Sequence, residues 1–150
     1  MKAFCFRLQT KLEITQLQEK QAREELLAAL SRRDQIALRL QQLDERLQEL
    51  EAGVRNLGST SCSSQQLIVY SHYFPVFRSW IKATQMELLE MENQVEHCRS
   101  ILFERKRETQ TLERLREREW QRYVYEMNLA EQKVIDELAT SAHYRKKLPG

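Results

Sequence analysis

The chain has 150 residues, 41% of them hydrophobic and 31% Lys, Arg, Asp or Glu, with three Gly and two Pro. A compact domain of this length carries more turn residues and fewer charges, so this is the composition of long exposed helices. Twenty-four basic against twenty-two acidic residues leave a formal net charge of +2, too balanced for a nucleic-acid binder, which would gather unpaired Lys and Arg on one face.

The opening "MKAFCFRLQTKLEI" holds a short apolar patch that Arg7, Lys11 and Glu13 interrupt before a signal-peptide core could form. No later segment reads as a membrane span, and a cytosolic protein is expected. Cys5, Cys62 and Cys98 are odd in number and widely spaced, with no CxxC pair, so neither a disulfide framework nor a zinc site is indicated. His97 and Cys98 are neighbours on a helix and point about 100° apart, which prevents them from gripping one ion together.

Steps of four and three from Leu8 run through Leu12, Thr15, Glu19, Ala22, Leu26, Ala29, Arg33, Ile36, Leu40, Leu43, Leu47, Leu50, Val54 and Leu57, and twelve of these fifteen are apolar. This is a coiled-coil seam. Its first half is diluted by Ala and by Thr15, Glu19 and Arg33, while the second half from Ile36 is nearly all Leu and is expected to pack more tightly. The pattern stops at "GVRNLGSTSCSSQQ", residues 53–66. Gly58 suits a left-handed position past a helix end, and Ser61, Ser63 or Ser64 can cap the next helix.

A second seam follows at Leu67, Tyr70, Phe74, Phe77, Ile81, Thr84, Leu88, Met91, Val95, Cys98, Leu102, Arg105, Thr109 and Leu112. Pro75 lies within it, so this helix either starts near Ser71 or starts near Gln65 and kinks, the second being favoured. Two seams joined by a short turn fold most simply into an antiparallel hairpin. The competing architecture is a parallel homodimer, a structural scaffold in which the Ser-rich stretch is an interruption.

The expected fold is therefore all-α, one coiled-coil domain over 1–150: helix one about 5–57, a turn about 58–65, and helix two about 66–146. At 1.5 Å per residue the helices would be about 80 Å and about 120 Å long. Leu8 would then lie beside about Leu115, leaving a single-helix C-terminal overhang at about 118–146. Its apolar residues restart out of step as Trp120, Val124, Met127, Val134 and Leu138, interrupted by Glu131. Another chain is the expected cover for that stripe, with a frayed, solvated helix as the alternative.

The N-terminal "FRLQTKLEI", the polar turn, the run "LERLREREWQRY" and above all "EQKVIDELA" resemble the FliJ family of bacterial flagellar export proteins, across essentially the whole chain. The resemblance implies an antiparallel two-helix coiled coil similar to the gamma subunit of rotary ATPases. It implies a soluble component of flagellar type III secretion, at the cytoplasmic face of the inner membrane. Its implied partners are the hexameric ring of the export ATPase FliI, the export-gate membrane protein FlhA, and export chaperones. Stalk proteins of virulence secretion systems are the nearest confusion.

A hairpin with one end prolonged as a single amphipathic helix is suited to entering a ring. Trp120 and Met127 would cover one side there, with Gln132, Lys133, Asp136 and Glu137 on others. Lys133 and Glu137, four apart, could instead pair with each other for about 0.3 to 0.5 kcal/mol. In "YSHYFPVFRSW" the seam takes Tyr70, Phe74 and Phe77, leaving Tyr73 and Trp80 beside it, either packed over Leu47 and Leu50 or presented as interface residues. The family's export-gate contact falls in this region, which raises Tyr73, Phe77 and Trp80 as candidates, with Gln42 carried across from helix one.

The run 99–122 holds eight basic and five acidic residues, and the interspersed Glu residues make it a salt-bridged solvated face rather than an RNA site. The basic tail "HYRKKLPG" suits a helix C-terminus. No Gly-rich phosphate loop and no nucleophile beside a base occurs, so no catalytic residue, cofactor or metal is expected, and any ATP hydrolysis belongs to another chain.

Overall fold

The computed structural model describes residues 3–58 and 64–147. Nearly all of them lie in two helices, α1 (Gln9–Gly58) and α2 (Ser64–Lys147), which pack against each other as a helical hairpin without strands among the described residues. The hairpin, not the parallel dimer, is the architecture taken. Most of the anticipated turn, with Ser61, Cys62 and Ser63, lies outside the described residues. Gly58 is the last residue of α1, and no described glycine has a positive φ, so the left-handed cap expected there is not formed. Ser64 opens α2.

By internal packing the chain separates into two units, Met1–Glu19 with Glu104–Gly150, and Lys20–Phe103. In the first, Phe6, Leu12 and Leu112 form a buried cluster, with Phe4, Leu8 and Leu115 packed against it. Leu8 and Leu115 thus pack against one common cluster, as an antiparallel hairpin requires. Thr15 and Thr109 are buried as well. Their hydroxyls are satisfied within their own helices, Thr15 Oγ1 donating to the Leu12 carbonyl at 2.9 Å and Thr109 Oγ1 to that of Arg105 at 3.1 Å, so these polar side chains cross the seam without an unmet hydrogen bond.

Helix α1 begins four residues later than expected. Residues 3–8 are not helical, and the Gln9 N–H donates to the Phe6 carbonyl at 3.1 Å as the chain turns into α1. Burial explains the departure. Phe6, only 5% exposed, is seated among Leu12 and Leu112, and burying a Phe side chain contributes about 1.5 to 3 kcal/mol, more than the extra helical turn of so short a segment would add.

In the second unit Ala22, Ala29 and Ile36 of α1 and Ile81, Thr84 and Val95 of α2 are buried. From Leu40 to Leu57 every α1 seam residue is only half-buried, which reverses the expectation that the leucine-rich half packs more tightly. Size is the cause. Short side chains disappear whole beneath a neighbouring helix, whereas Leu50 shares a groove with the large Tyr70 and Phe77 and stands partly out of the seam. A Cβ at Gly53 would stand 4.0 Å from the Tyr70 hydroxyl, an ordinary contact distance. Leu67 is exposed, and the seam of α2 starts at Tyr70.

Between the helices the Arg39 guanidinium meets the Glu87 carboxylate. Both side chains are about half exposed, so screening keeps such a pair to roughly 0.2 to 1 kcal/mol. The apolar seam, not these ions, holds the helices together.

Pro75 lies inside α2, twelve positions into the helix. It lacks an N–H for the carbonyl of Ser71, and an interior proline costs a helix about 3 kcal/mol. Pro75→Ala is therefore expected to stabilise the protein by about 1 to 3 kcal/mol, measured as a higher midpoint in urea by circular dichroism. An unchanged midpoint would mean that the freed carbonyl is already satisfied.

Candidate partner-binding surfaces

The first surface is the end of α2. Phe4 reaches over to this helix, its ring centroid 5.1 Å from that of Trp120, edge-on, and 5.6 Å from that of Tyr123. Trp120 is thus partly covered by the chain's own N-terminal segment and remains 45% exposed. Half-burial continues through Val124, Met127 and Ala130, and every residue of 131–147 is exposed. The uncovered segment therefore begins near Glu131 rather than near residue 118. The non-helical N-terminal segment accounts for part of the difference, since the Phe4 ring lies against Trp120 and Tyr123, beyond the N-terminal end of α1.

Gln132, Lys133, Asp136 and Glu137 all lie in the uncovered part, with exposed side chains. Among the described residues no ion pair joins Lys133 to Glu137. The small polar groups close onto their own helix, Thr140 Oγ1 donating to the Asp136 carbonyl at 2.7 Å and Ser141 Oγ to that of Leu138 at 3.0 Å. Meanwhile Val134, Ile135 and Leu138 stand in solvent, Leu138 at 64% exposure. A helix in this condition keeps its backbone bonds and leaves its apolar side chains without cover.

The second surface lies near the start of α2. Tyr73 and Trp80 are each 53% exposed, while Phe77, on the seam, is half-buried with its ring 5.3 Å from that of Trp80. Tyr73 borders a shallow groove with Leu50, Tyr70, Phe77, Arg46 and Glu49, so it is presented from the flank of α1 rather than buried against it. Gln42 is exposed in an adjoining hollow with Arg39, Arg46 and Glu49. Reading the sequence singled out the aromatic residues and missed their companions. Val69 and Val76 are exposed too, and Val69, Tyr73, Val76 and Trp80 follow one another by four, three and four, a second heptad stripe beside the first. The same stepping that located the seam, started one residue earlier, finds it.

Cys5 is exposed and Cys98 half-buried, both as free thiols. Among the described residues no group of His, Cys, Asp or Glu is placed to hold a metal ion, and no helix is long and apolar enough to cross a membrane.

The sequence profile of a protein family described as "Flagellar FliJ protein" matches residues 4–148. No curated protein and no solved structure matches the chain.

Proposed function

The chain belongs to the flagellar FliJ protein family, and from that premise we propose that it serves export as a central stalk, docking the end of α2 in the ring of the export ATPase FliI. Membership makes it a component of flagellar type III export. In the proposed arrangement the stripe of Val69, Tyr73, Val76 and Trp80, with Phe77 beside it and Gln42 contributed by α1, faces the export-gate protein FlhA. The same surfaces are offered to export chaperones, and the protein works at the cytoplasmic face of the inner membrane. Hydrolysis is left to the ATPase.

The observation that carries the ring reading is the uncovered segment 131–147, where Val134, Ile135 and Leu138 are exposed on a continuous helix beside Gln132, Lys133, Asp136 and Glu137. Apolar side chains in this setting are what a partner's pocket buries, and the flanking charges set orientation. Met127 and Trp120, further back on the helix, would meet the rim.

A variant carrying Asp136→Ala, Glu137→Ala and Leu138→Ser tests this directly, because none of the three side chains contributes to packing within the chain. Its helicity is expected to match the parent, while its affinity for the ATPase ring falls about tenfold or more. Undiminished binding and undiminished stimulation of ATP hydrolysis would remove the assignment.

A further inference from the structure

At about 100° per residue, Trp120, Val124, Met127, Val134 and Leu138 fall along one face of α2, with Tyr123 and Ile135 at its borders. The face is continuous, but its cover is not. Phe4 occupies only its first part, against Trp120 and Tyr123, and among the described residues every side chain from Glu131 to Lys147 is exposed. The covering segment is also held unevenly. Phe6 is its anchor, buried with Leu12 and Leu112 and tied to the start of α1 through its carbonyl. Phe4, two residues on, is half-buried beside an open hollow lined by Glu113, Arg116, Glu117 and Trp120.

We propose that Phe4 is a displaceable cover on a partner-binding face: the partner that docks on Val134 and Leu138 continues along the same stripe and replaces the Phe4 ring on Trp120 and Tyr123. This rests on the reading that the end of α2 binds the export ATPase ring. Continuity of the face is the argument, since a partner lying along it meets Phe4 within a few turns. The exchange substitutes one apolar contact on Trp120 for another, while Phe6 keeps the segment attached. The cover thus competes with the partner, and loosening it strengthens binding.

The test uses the full chain with Trp80→Phe as parent, so that Trp120 is the remaining tryptophan, titrated with assembled export ATPase. Phe4→Ala is expected to bind about tenfold more tightly, as relief of a competing state requires, and to show before any ATPase is added part of the change in Trp120 emission that binding produces in the parent. A chain lacking residues 1–5 is expected to behave alike, which guards against an effect peculiar to one substitution. Val134→Ser with Leu138→Ser, made in the same parent, separates the two readings. If that variant loses binding while both cover variants bind no more tightly than the parent, the ring reading stands and Phe4 is a fixed part of the surface, not a cover. If Val134→Ser with Leu138→Ser binds as the parent does, the ring reading falls and the cover falls with it.

Discussion

Leu12→Ala is expected to lower the stability of the protein by about 2 to 5 kcal/mol, the largest loss from any single truncation along the seam. Leu12 is 1% exposed, the most completely buried large side chain among the described residues. Its burial has a specific origin. In a two-helix assembly a seam residue is covered by one neighbouring helix and stays open on its flank, which is why most leucines of α1 are only half-buried. Leu12 has Leu112 of α2 and, in addition, Phe6 of the non-helical N-terminal segment. Truncation removes the contacts of the leucine and leaves a gap beneath Phe6, so the cavity contribution adds to the transfer contribution. Leu47→Ala, at a half-buried seam position, provides the comparison and is expected to cost less than half as much. Urea unfolding followed by circular dichroism checks both. Equal losses at Leu12 and Leu47 would show that Phe6 adds nothing to the packing.

How far the fold could be read in advance follows from the same distinction. The heptad steps identified a seam in which every α1 position from Leu8 to Leu57, including Glu19 and Arg33, is buried or half-buried, and in which α2 follows from Tyr70 to Leu112. Periodicity carries that information because helix geometry is regular. The segment of Phe4 and Phe6 has no period to read. It is too short for one, and its contact with Trp120 and Tyr123 is made by non-helical chain that heptad arithmetic does not contain. Leucine count is a poor guide to tightness, because Ala22, Ala29 and Thr15 are small enough to be covered almost entirely while the longer seam leucines from Leu40 to Leu57 stay half-buried. At the surfaces, Tyr73 and Trp80 stood out as large aromatics beside a seam, while Val69 and Val76 look like ordinary helix residues until their spacing is compared with that of the aromatics. Trp120 was legible as an apolar residue on the overhang but not as the partner of Phe4, which is more than a hundred residues away in sequence.

Replacing Tyr73 and Trp80 together by Ala is expected to weaken binding to solubilised export-gate protein by about a hundredfold or more, since buried aromatic anchors at interfaces commonly contribute 2 kcal/mol or more each. Neither ring is needed to hold the hairpin, because each is about half exposed, so the helical content and urea midpoint of the double variant should stay within about 1 kcal/mol of the parent. The argument needs a control for hydrophobicity as such. Met86 and Leu89 are at least as exposed as Trp80, yet their positions in the heptad place them on a different side of α2 from the stripe. Met86→Ala with Leu89→Ala is therefore expected to leave gate binding unchanged. If that pair loses as much affinity as the aromatic pair, binding is following exposed apolar area anywhere on α2. If only Tyr73 and Trp80 matter, the 4-3-4 spacing of Val69, Tyr73, Val76 and Trp80 acquires its meaning: a second seam whose other half is supplied by the gate, with Val69→Ser or Val76→Ser expected to produce a smaller loss of the same kind.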